Sequence, residues 1–313
     1  MISEKYGKVV KGLGGLYNIR VVEPDGGVCV YKSRAKGALH KDEAKLLIGD
    51  NVRLRIDTDT PDGIVISEIE ERRNSLIRPP MANLDYLFIV FAARKPTPVL
   101  EVVDKLIAIA IHNGIIPVVV ITKVDLSSSL ASEFSAIYDK AGIKNFITSS
   151  ESGEGIEALS EYIANTVTNG RTAAFAGASG VGKSTLMNAL FPGLSLSTSE
   201  ISQKIERGKH TTRHVEIFDI NGEGESVGYL ADTPGFSLVD FARFDFFSLE
   251  ELGSTFPDIT PYACGCAYAD CAHVGEGRDE CAVARAAEEG RIAETRLESY
   301  RSIYRILKEK KSY

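Results

Sequence analysis

The sequence predicts a multidomain α/β chain in three parts: a small β-barrel or sandwich, a mostly parallel sheet with helices on both faces, and a helical, cysteine-bearing C-terminal region. Three observations carry this prediction. Residues 1–75 hold short β-rich runs between turn signals. From about residue 82, apolar runs of strand length alternate with helical segments. Four of the five cysteines crowd between Cys264 and Cys281. At 313 residues the chain is long for one domain, and the boundaries fall at 1–75, 76–240 and 241–313.

The first part reads as strands at Lys8–Val10, Leu16–Val22, Val28–Tyr31, Val52–Ile56 and Ile64–Ile69. Turn signals at Gly12–Gly15, Pro24–Gly27, Gly49–Asn51 and Pro61–Gly63 separate them. Cys29, in one of these strands, is expected in the core. In the second part, Tyr86–Ala93 and Ile115–Ile121 are apolar throughout, the pattern of parallel strands buried on both faces. Helix Leu100–Asn113 lies between them, and Phe146–Ser149 and Thr172–Ala176 continue the series with helices around Gly155–Thr168 and Lys183–Phe191. Val215–Ile220 and Val227–Ala231 flank an Asn221-Gly222 turn signal and read as a hairpin. In the third part a helix is expected near Ser248–Phe256, with two more at Ala282–Glu289 and Ile292–Lys310.

Composition excludes several classes. Hydrophobic residues make up 44% and charged residues 25%, an ordinary globular mix. The formal net charge of −7 rules out a bulk basic signature, so a nucleic-acid partner would be met by local patches. No apolar run approaches the roughly 18 residues of a membrane span, and the charged start MISEKYGKVVKGL is unlike a secretory peptide. The expectation is a cytoplasmic protein without a membrane partner. An odd number of cysteines, four of them clustered, suits a metal site in a reducing compartment better than a disulfide framework.

The strongest motif is Gly177-Ala178-Ser179-Gly180-Val181-Gly182-Lys183-Ser184, which fits G-x-x-x-x-G-K-[ST] between a strand and a helix. Its glycines let backbone N–H groups turn toward phosphates, and the helix N-terminus, with Thr185 next in line, adds favourable potential. Lys183 would reach the β- and γ-phosphates, and Ser184 would hold Mg²⁺. Asp232-Thr233-Pro234-Gly235 follows the later strand, placing Asp232 for a water-bridged Mg²⁺ contact and the Gly235 N–H for the γ-phosphate. Between them, Arg207–His214 carries Thr211 and Thr212, either of which could coordinate Mg²⁺ only while γ-phosphate is present. The plainer reading of that segment is a basic surface loop.

Thr122-Lys123-Val124-Asp125 follows directly on an apolar strand. The Asp125 carboxylate can accept from the N1–H and 2-amino group of guanine. Adenine offers neither donor, and such a site discriminates by a factor on the order of 10⁴. The Lys123 stem would lie along the base, and Ser149-Ser150 could give a backbone N–H to guanine O6.

These segments together are similar to the motifs of a P-loop GTPase in rotated order, with the base-side segments first. A doubly wound domain tolerates such rotation because its ends often lie close together. The chain resembles the ribosome-small-subunit-dependent GTPase A family, circularly permuted GTPases. The likeness rests on GLGGLYNI, Gly49–Val52, RNSLIRPPMANLDYLFIVFAA, Glu200–Lys204, Gly208–Arg213, DTPGF and the cysteine cluster. It implies an N-terminal OB-fold, a C-terminal zinc domain, GTP hydrolysis to GDP, and binding to the immature small ribosomal subunit and its rRNA late in maturation. The chain is expected to act as a monomer.

Two departures bear on mechanism. Thr122 stands where GTPases usually carry Asn, which removes a side-chain amide contact to the base. Phe236 follows Gly235 where many GTPases place a water-orienting glutamine, so the free protein should hydrolyse GTP slowly. The resemblance suggests that His210 positions the water once the subunit orders Lys209–Arg213; contact with RNA is the other reading of His210.

Cys266-x₄-Cys271-x-His273-x₇-Cys281 offers three thiolates and an imidazole, a closed tetrahedral set for structural Zn²⁺. The resemblance points to the same four residues, with a longer last gap here, and Cys264 is a competing ligand. In the first part Lys32, Arg34 and Lys36 would share a face if their strand continues, offering an RNA-binding patch or merely a solvated edge. The basic C-terminal helix with Arg301, Arg305, Lys308, Lys310 and Lys311 carries the same two readings. Two other function classes stand beside the GTPase: a P-loop ATPase or kinase, which Asp125 argues against, and a non-hydrolysing nucleotide-gated scaffold, which Phe236 favours.

Overall fold

The computed structural model describes residues 2–35, 45–60, 63–192, 194, 215–220, 224–232, 241 and 243–311. The chain forms two compact units, Met1–Tyr86 with Ser160–Phe175 and Phe191–Phe236, and Leu87–Leu159 with Ala176–Leu190 and Ser237–Tyr313.

In the first unit, β1 (Ile2–Leu13), β2 (Leu16–Val22), β3 (Val28–Ala35), β4 (Asn51–Asp57) and β5 (Ile64–Ile69) close a five-stranded barrel. The order is β1-β2-β3-β5-β4, and pairing of β4 back onto β1 completes the ring. Only the β3–β5 pair is parallel. β1 pairs with β2, with β4 and, at Lys11, with Glu216, since it is twelve residues long and its register with β2 shifts between Val9 and Lys11. Gly7 permits this crowding, since a Cβ there would lie 2.6 Å from the Arg20 carbonyl oxygen. Alternation buries Val9, Ile19, Val21, Val52, Leu54 and Ile66 as the barrel core. Lys32 and Arg34 are exposed at alternate positions of β3, as the spacing predicts, and Lys36 lies outside the described residues. Cys29 corrects the sequence reading. It is exposed, opposite Val21 near the hairpin end, where neighbouring Val28 and Val30 are exposed too.

The same unit holds a short hairpin, β6 (Ser75–Leu76) with β7 (Met81–Ala82). It also holds the last two strands, β12 (Glu216–Ile220) and β13 (Gly228–Asp232), which pair antiparallel. A 3₁₀ turn at Gly224–Ser226 enters the connection between them, and Asn221-Gly222 falls outside the described residues. β13 pairs in parallel with β11 (Thr172–Ala176), Ala174 opposite Ala231. That register brings the C-terminal ends of both strands to one edge.

The second unit is built on β8 (Tyr86–Ala92), β9 (Ile116–Thr122) and β10 (Asn145–Ile147), in the order β10-β9-β8. β9 and β10 are parallel, and all of β8 is buried. α1 (Leu100–His112) covers the strands with Leu106, Ile107 and Ala110. The serine-rich start of α2 (Ser128–Lys140) gives no helix signal, yet Ala131 and Tyr138, two turns apart, are buried on one face. α3 (Ile156–Thr166) and α4 (Lys183–Leu190) occupy their predicted places.

The single helix expected over Ser248–Phe256 is instead a 3₁₀ turn, Leu252–Thr255, followed by α5 (Thr260–Ala263). Ser254 and Thr255 donate their hydroxyls back to the Glu251 and Leu252 carbonyls, and Gly253 and Pro257 further disfavour a continuous helix. α6 (Ala282–Glu288) and α7 (Glu294–Lys311) follow as predicted. Arg296 of α7 is wholly buried. It donates to Asp104 of α1 at 2.8 Å and to Asp258 at 2.7 Å, its guanidinium 4.6 Å from the Phe256 ring centre. Among the described residues no helix is long and apolar enough to cross a membrane.

Candidate nucleotide site and metal centre

The glycine loop leaves β11 and enters α4. Gly177 has φ +157°, and a Cβ there would sit 2.3 Å from the Val90 carbonyl oxygen of β8, so the first position of the loop accepts no side chain. Ala178, Ser179 and Gly180 are exposed, Val181 is buried, and Gly182 is half-buried. Lys183 begins α4, half-buried, while Ser184 and Thr185 are exposed on its first turn. The start of this eight-residue helix, where backbone N–H groups point out along the axis, suits an anion.

Thr122 and Lys123 reach this loop across a sequence separation of nearly sixty residues. The buried Thr122 hydroxyl donates to the Val181 carbonyl at 2.5 Å, with the Phe91 carbonyl 3.2 Å away. Lys123, in left-handed conformation at φ +57°, donates to Gly180 O at 2.6 Å and Lys95 O at 2.8 Å. Its ammonium therefore fastens the loop. Asp125 is exposed and accepts from the buried Ser149 hydroxyl at 2.5 Å. Ser149 is fixed in turn, its oxygen accepting from the Glu151 and Ser152 N–H groups at 3.2 Å. The Ser149 N–H is engaged with the Glu154 carbonyl, which leaves Ser150 as the donor of that pair.

Thr122, where GTPases usually carry Asn, ties strand β9 to the phosphate loop through its hydroxyl. Asp232 is the last residue of β13. His210, Thr211, Thr212, Gly235 and Phe236 lie outside the described residues.

Cys266, Cys271, His273 and Cys281 do converge. Their ligand atoms all lie within 4.8 Å of one another. His273 Nδ1 is 3.6 Å from Cys266 Sγ and 3.4 Å from both Cys271 Sγ and Cys281 Sγ, and Cys266 and Cys281 are 4.0 Å apart. A zinc tetrahedron with ordinary Zn–S and Zn–N bonds has edges of about 3.5–3.8 Å, so the set fits. Burial and the neighbouring thiols push the Cys271 thiol up to about 12. A bound cation would favour the thiolate form of all three. Burial opposes ionisation of Cys266 as well, but the Ala282 and Val283 N–H groups bring its thiol below the ordinary value. Cys281 caps α6, its sulfur accepting from Ala284 N–H at 3.3 Å. Cys264 is exposed and not among the four.

Two supporting residues were not legible beforehand. Glu276 sits in the long gap before Cys281, and its carboxylate accepts from Ala272, Val274 and Gly275 N–H groups at 2.9–3.1 Å. Burial alone would raise that carboxyl, yet these donors hold it down at about 2. Arg301 of α7 donates to the His273 carbonyl at 2.8 Å. The only sequence signal for Glu276 is a lone carboxylate beside a ligand in a glycine-rich loop. The basic face of α7 is partly occupied within the chain: Arg301 pairs with Glu298, Lys310 with Asp245 and Lys311 with Glu250.

Comparison with known proteins decides the family. The RsgA GTPase profile matches residues 69–242, and the RsgA N-terminal domain profile matches residues 6–65. The chain belongs to the RsgA GTPase family. A relative from Bacillus velezensis named small ribosomal subunit biogenesis GTPase RsgA is 37% identical over 310 residues, covering 97% of this chain and 98% of that one. The Bacillus subtilis protein of the same name is 36% identical, again over 97% and 98%. Among solved structures, YjeQ from Thermotoga maritima superposes with a TM-score of 0.76 at 30% identity, covering 97% of this chain and 99% of that one. YloQ, described as a circularly permuted GTPase, does so at 0.74 and 32%, covering 98% and 96%. The rotated motif order is thus that of an RsgA-type GTPase, and the Cys₃His cluster fits a zinc site.

Proposed function

We propose that this chain binds GTP with Mg²⁺ and hydrolyses it to GDP on the small ribosomal subunit late in maturation, with turnover stimulated by the subunit. One observation carries the reading: Thr122 and Lys123, beside the base-selecting Asp125, hydrogen-bond the carbonyls of Val181 and Gly180 in the phosphate loop. These contacts support reading two motifs, far apart and reversed in sequence, as one site. Its relatives' names supply the subunit.

In this reading Asp125 selects guanine, Lys123 lies along the base, and the Ser150 N–H meets O6. The Gly177–Gly182 N–H groups and Lys183 bind the phosphates. Ser184, Asp232 and Thr211 or Thr212 would hold Mg²⁺, which neutralises charge developing on the β- and γ-phosphate oxygens. His210 orients the attacking water, and Gly235 contacts the γ-phosphate. Phe236 cannot orient water, so groups supplied or ordered by the subunit complete catalysis. The effect of such trans contributions is roughly 10³–10⁵ in rate. Cys266, Cys271, His273 and Cys281 would hold one structural Zn²⁺. The three-part division at 75 and 240 belongs to the same proposal, with an OB-type barrel whose exposed Lys32 and Arg34 face rRNA. The chain works as a cytoplasmic monomer.

Steady-state GTP turnover with and without purified small subunits tests this. A clear rise with subunits, absent in Lys183→Ala, is the expected result. Equal rates with and without subunits would reject the proposal and favour a nucleotide-gated scaffold.

A further inference from the structure

The barrel unit contains a cleft of about 750 Å³ that the nucleotide reading leaves unused. Lys8 of β1, Arg20 of β2, Arg73, Arg171 at the start of β11, and Tyr229 of β13 are among its walls. Lys8 and Arg20 are 7% and 5% exposed, two cations buried around one ring. The Lys8 ammonium is 5.2 Å from the Tyr229 ring centre and the Arg20 guanidinium 5.4 Å.

The charges here do not balance. Arg20 is matched by Asp219 at 2.8 Å and donates to the Tyr229 hydroxyl at 3.1 Å. Arg73 pairs with Asp85, and Lys5 pairs with Glu23 at 2.5 Å. Among the described residues Lys8 has neither a hydrogen-bond acceptor nor a carboxylate within 4 Å. The carboxylates that act on it at longer range are Asp85 and Asp50, already engaged by Arg73 and Arg72, and Arg73 opposes its charge. Glu4 and Glu70 also line the cleft but are not among the groups acting on Lys8. Arg171 donates to the Tyr86 hydroxyl and the Thr166 carbonyl, both uncharged, at 3.3 Å. A buried ammonium without an acceptor is unfavourable unless something outside the chain supplies one.

We propose that this cleft is a second anion site, taking a small phosphorylated molecule whose oxygens meet Lys8 at the floor and Arg171 at the rim beside Tyr229. Its volume is that of a small-molecule pocket rather than a bare-ion hole. Two cationic points on different elements suit a ligand with several anionic oxygens, and the Arg171 fork matches the geometry of a phosphoryl group. Desolvation, with Arg73 nearby, brings the Lys8 ammonium down to about 8, so at neutral pH it is still charged.

The test uses the full chain saturated with GDP, so that the phosphate loop is occupied, titrated calorimetrically with inorganic pyrophosphate. Saturable binding is expected, weakened at least tenfold in Lys8→Met, which keeps the buried stem. In the unaltered protein, pyrophosphate should protect Lys8 from an amine-acylating reagent, read by peptide mass spectrometry. The second measurement decides if Lys8→Met fails to fold. Absence of pyrophosphate binding, unchanged affinity in a folded Lys8→Met, or no protection of Lys8 overturns the proposal. So does protection by a single-stranded RNA alone, which would assign the cleft to a nucleic-acid backbone. Loss of GDP binding itself would count against the GTPase reading and leave the comparison of Lys8 with Met interpretable.

Discussion

Thr122 shows how one side chain divides a role between two contacts. Its hydroxyl ties strand β9 to the phosphate loop through Val181 O, so Thr122→Val leaves a buried carbonyl unpaired. A loss of about 1–3 kcal/mol is expected, read as faster GDP release in stopped-flow measurements. Asp125 answers for base choice instead: Asp125→Ala should cut the preference for GDP over ADP by about 10²-fold or more in competition binding. Lys8 gives the third residue-scale prediction. Its folded-state pKa of about 8 lies below the ordinary 10.5, so the unfolded chain binds the extra proton between those values and stability rises with pH across that window. Lys8→Met should therefore be more stable than the parent at pH 7, by about 3 kcal/mol at most. The gap should close toward pH 10.5 in urea unfolding. A destabilised variant at pH 7 would contradict the desolvation argument.

At the level of elements, α1 and α7 are joined by a buried ionic cluster with no exposure at Arg296. Arg296→Met strands Asp104 and Asp258, and burial already pushes the Asp104 carboxyl up. The expected cost is about 3–5 kcal/mol in denaturant unfolding, with partial recovery when both aspartates become asparagine. The metal loop makes a gentler prediction. Glu276→Gln removes the charge that three N–H groups hold, so zinc should pass faster to a chelator, followed with a metal indicator.

These elements also mark where sequence was informative. β8 and β9 are continuous apolar runs and could be read directly, as could the glycine loop from its spacing; Cys266, Cys271, His273 and Cys281 were legible with Cys264 as a competitor, which only the fold sets apart. α2 escaped notice because its buried positions are few and its start is Ser127-Ser128-Ser129. The 3₁₀ turn at Leu252–Thr255 was misread because side-chain hydroxyls compete locally with helical hydrogen bonds. Lys8 gave no signal at all. A lysine in a strand looks solvated until the barrel folds around it, and Cys29 erred in the opposite direction.

On the scale of the whole molecule, the rotated motif order leads the chain from Asp232 toward the cysteine-bearing C-terminal region. Removing zinc should therefore do more than loosen Cys266–Cys281: chelated protein is expected to lose helical signal and subunit stimulation together, while retaining GDP. Circular dichroism and turnover on the same samples check this. Full stimulation in metal-free protein would uncouple the two.

The tie between Thr122 and Val181 also has a consequence for synthesis. A ribosome releases the β9 segment first, and for some sixty further residues the Thr122 hydroxyl and the Lys123 amine lack the Val181 and Gly180 carbonyls and have only those of Phe91 and Lys95. A nascent chain of RsgA type thus carries the Thr122–Asp125 segment before its glycine loop exists. Nucleotide, bound as proposed, can help to close the fold only after the glycine loop has emerged as well.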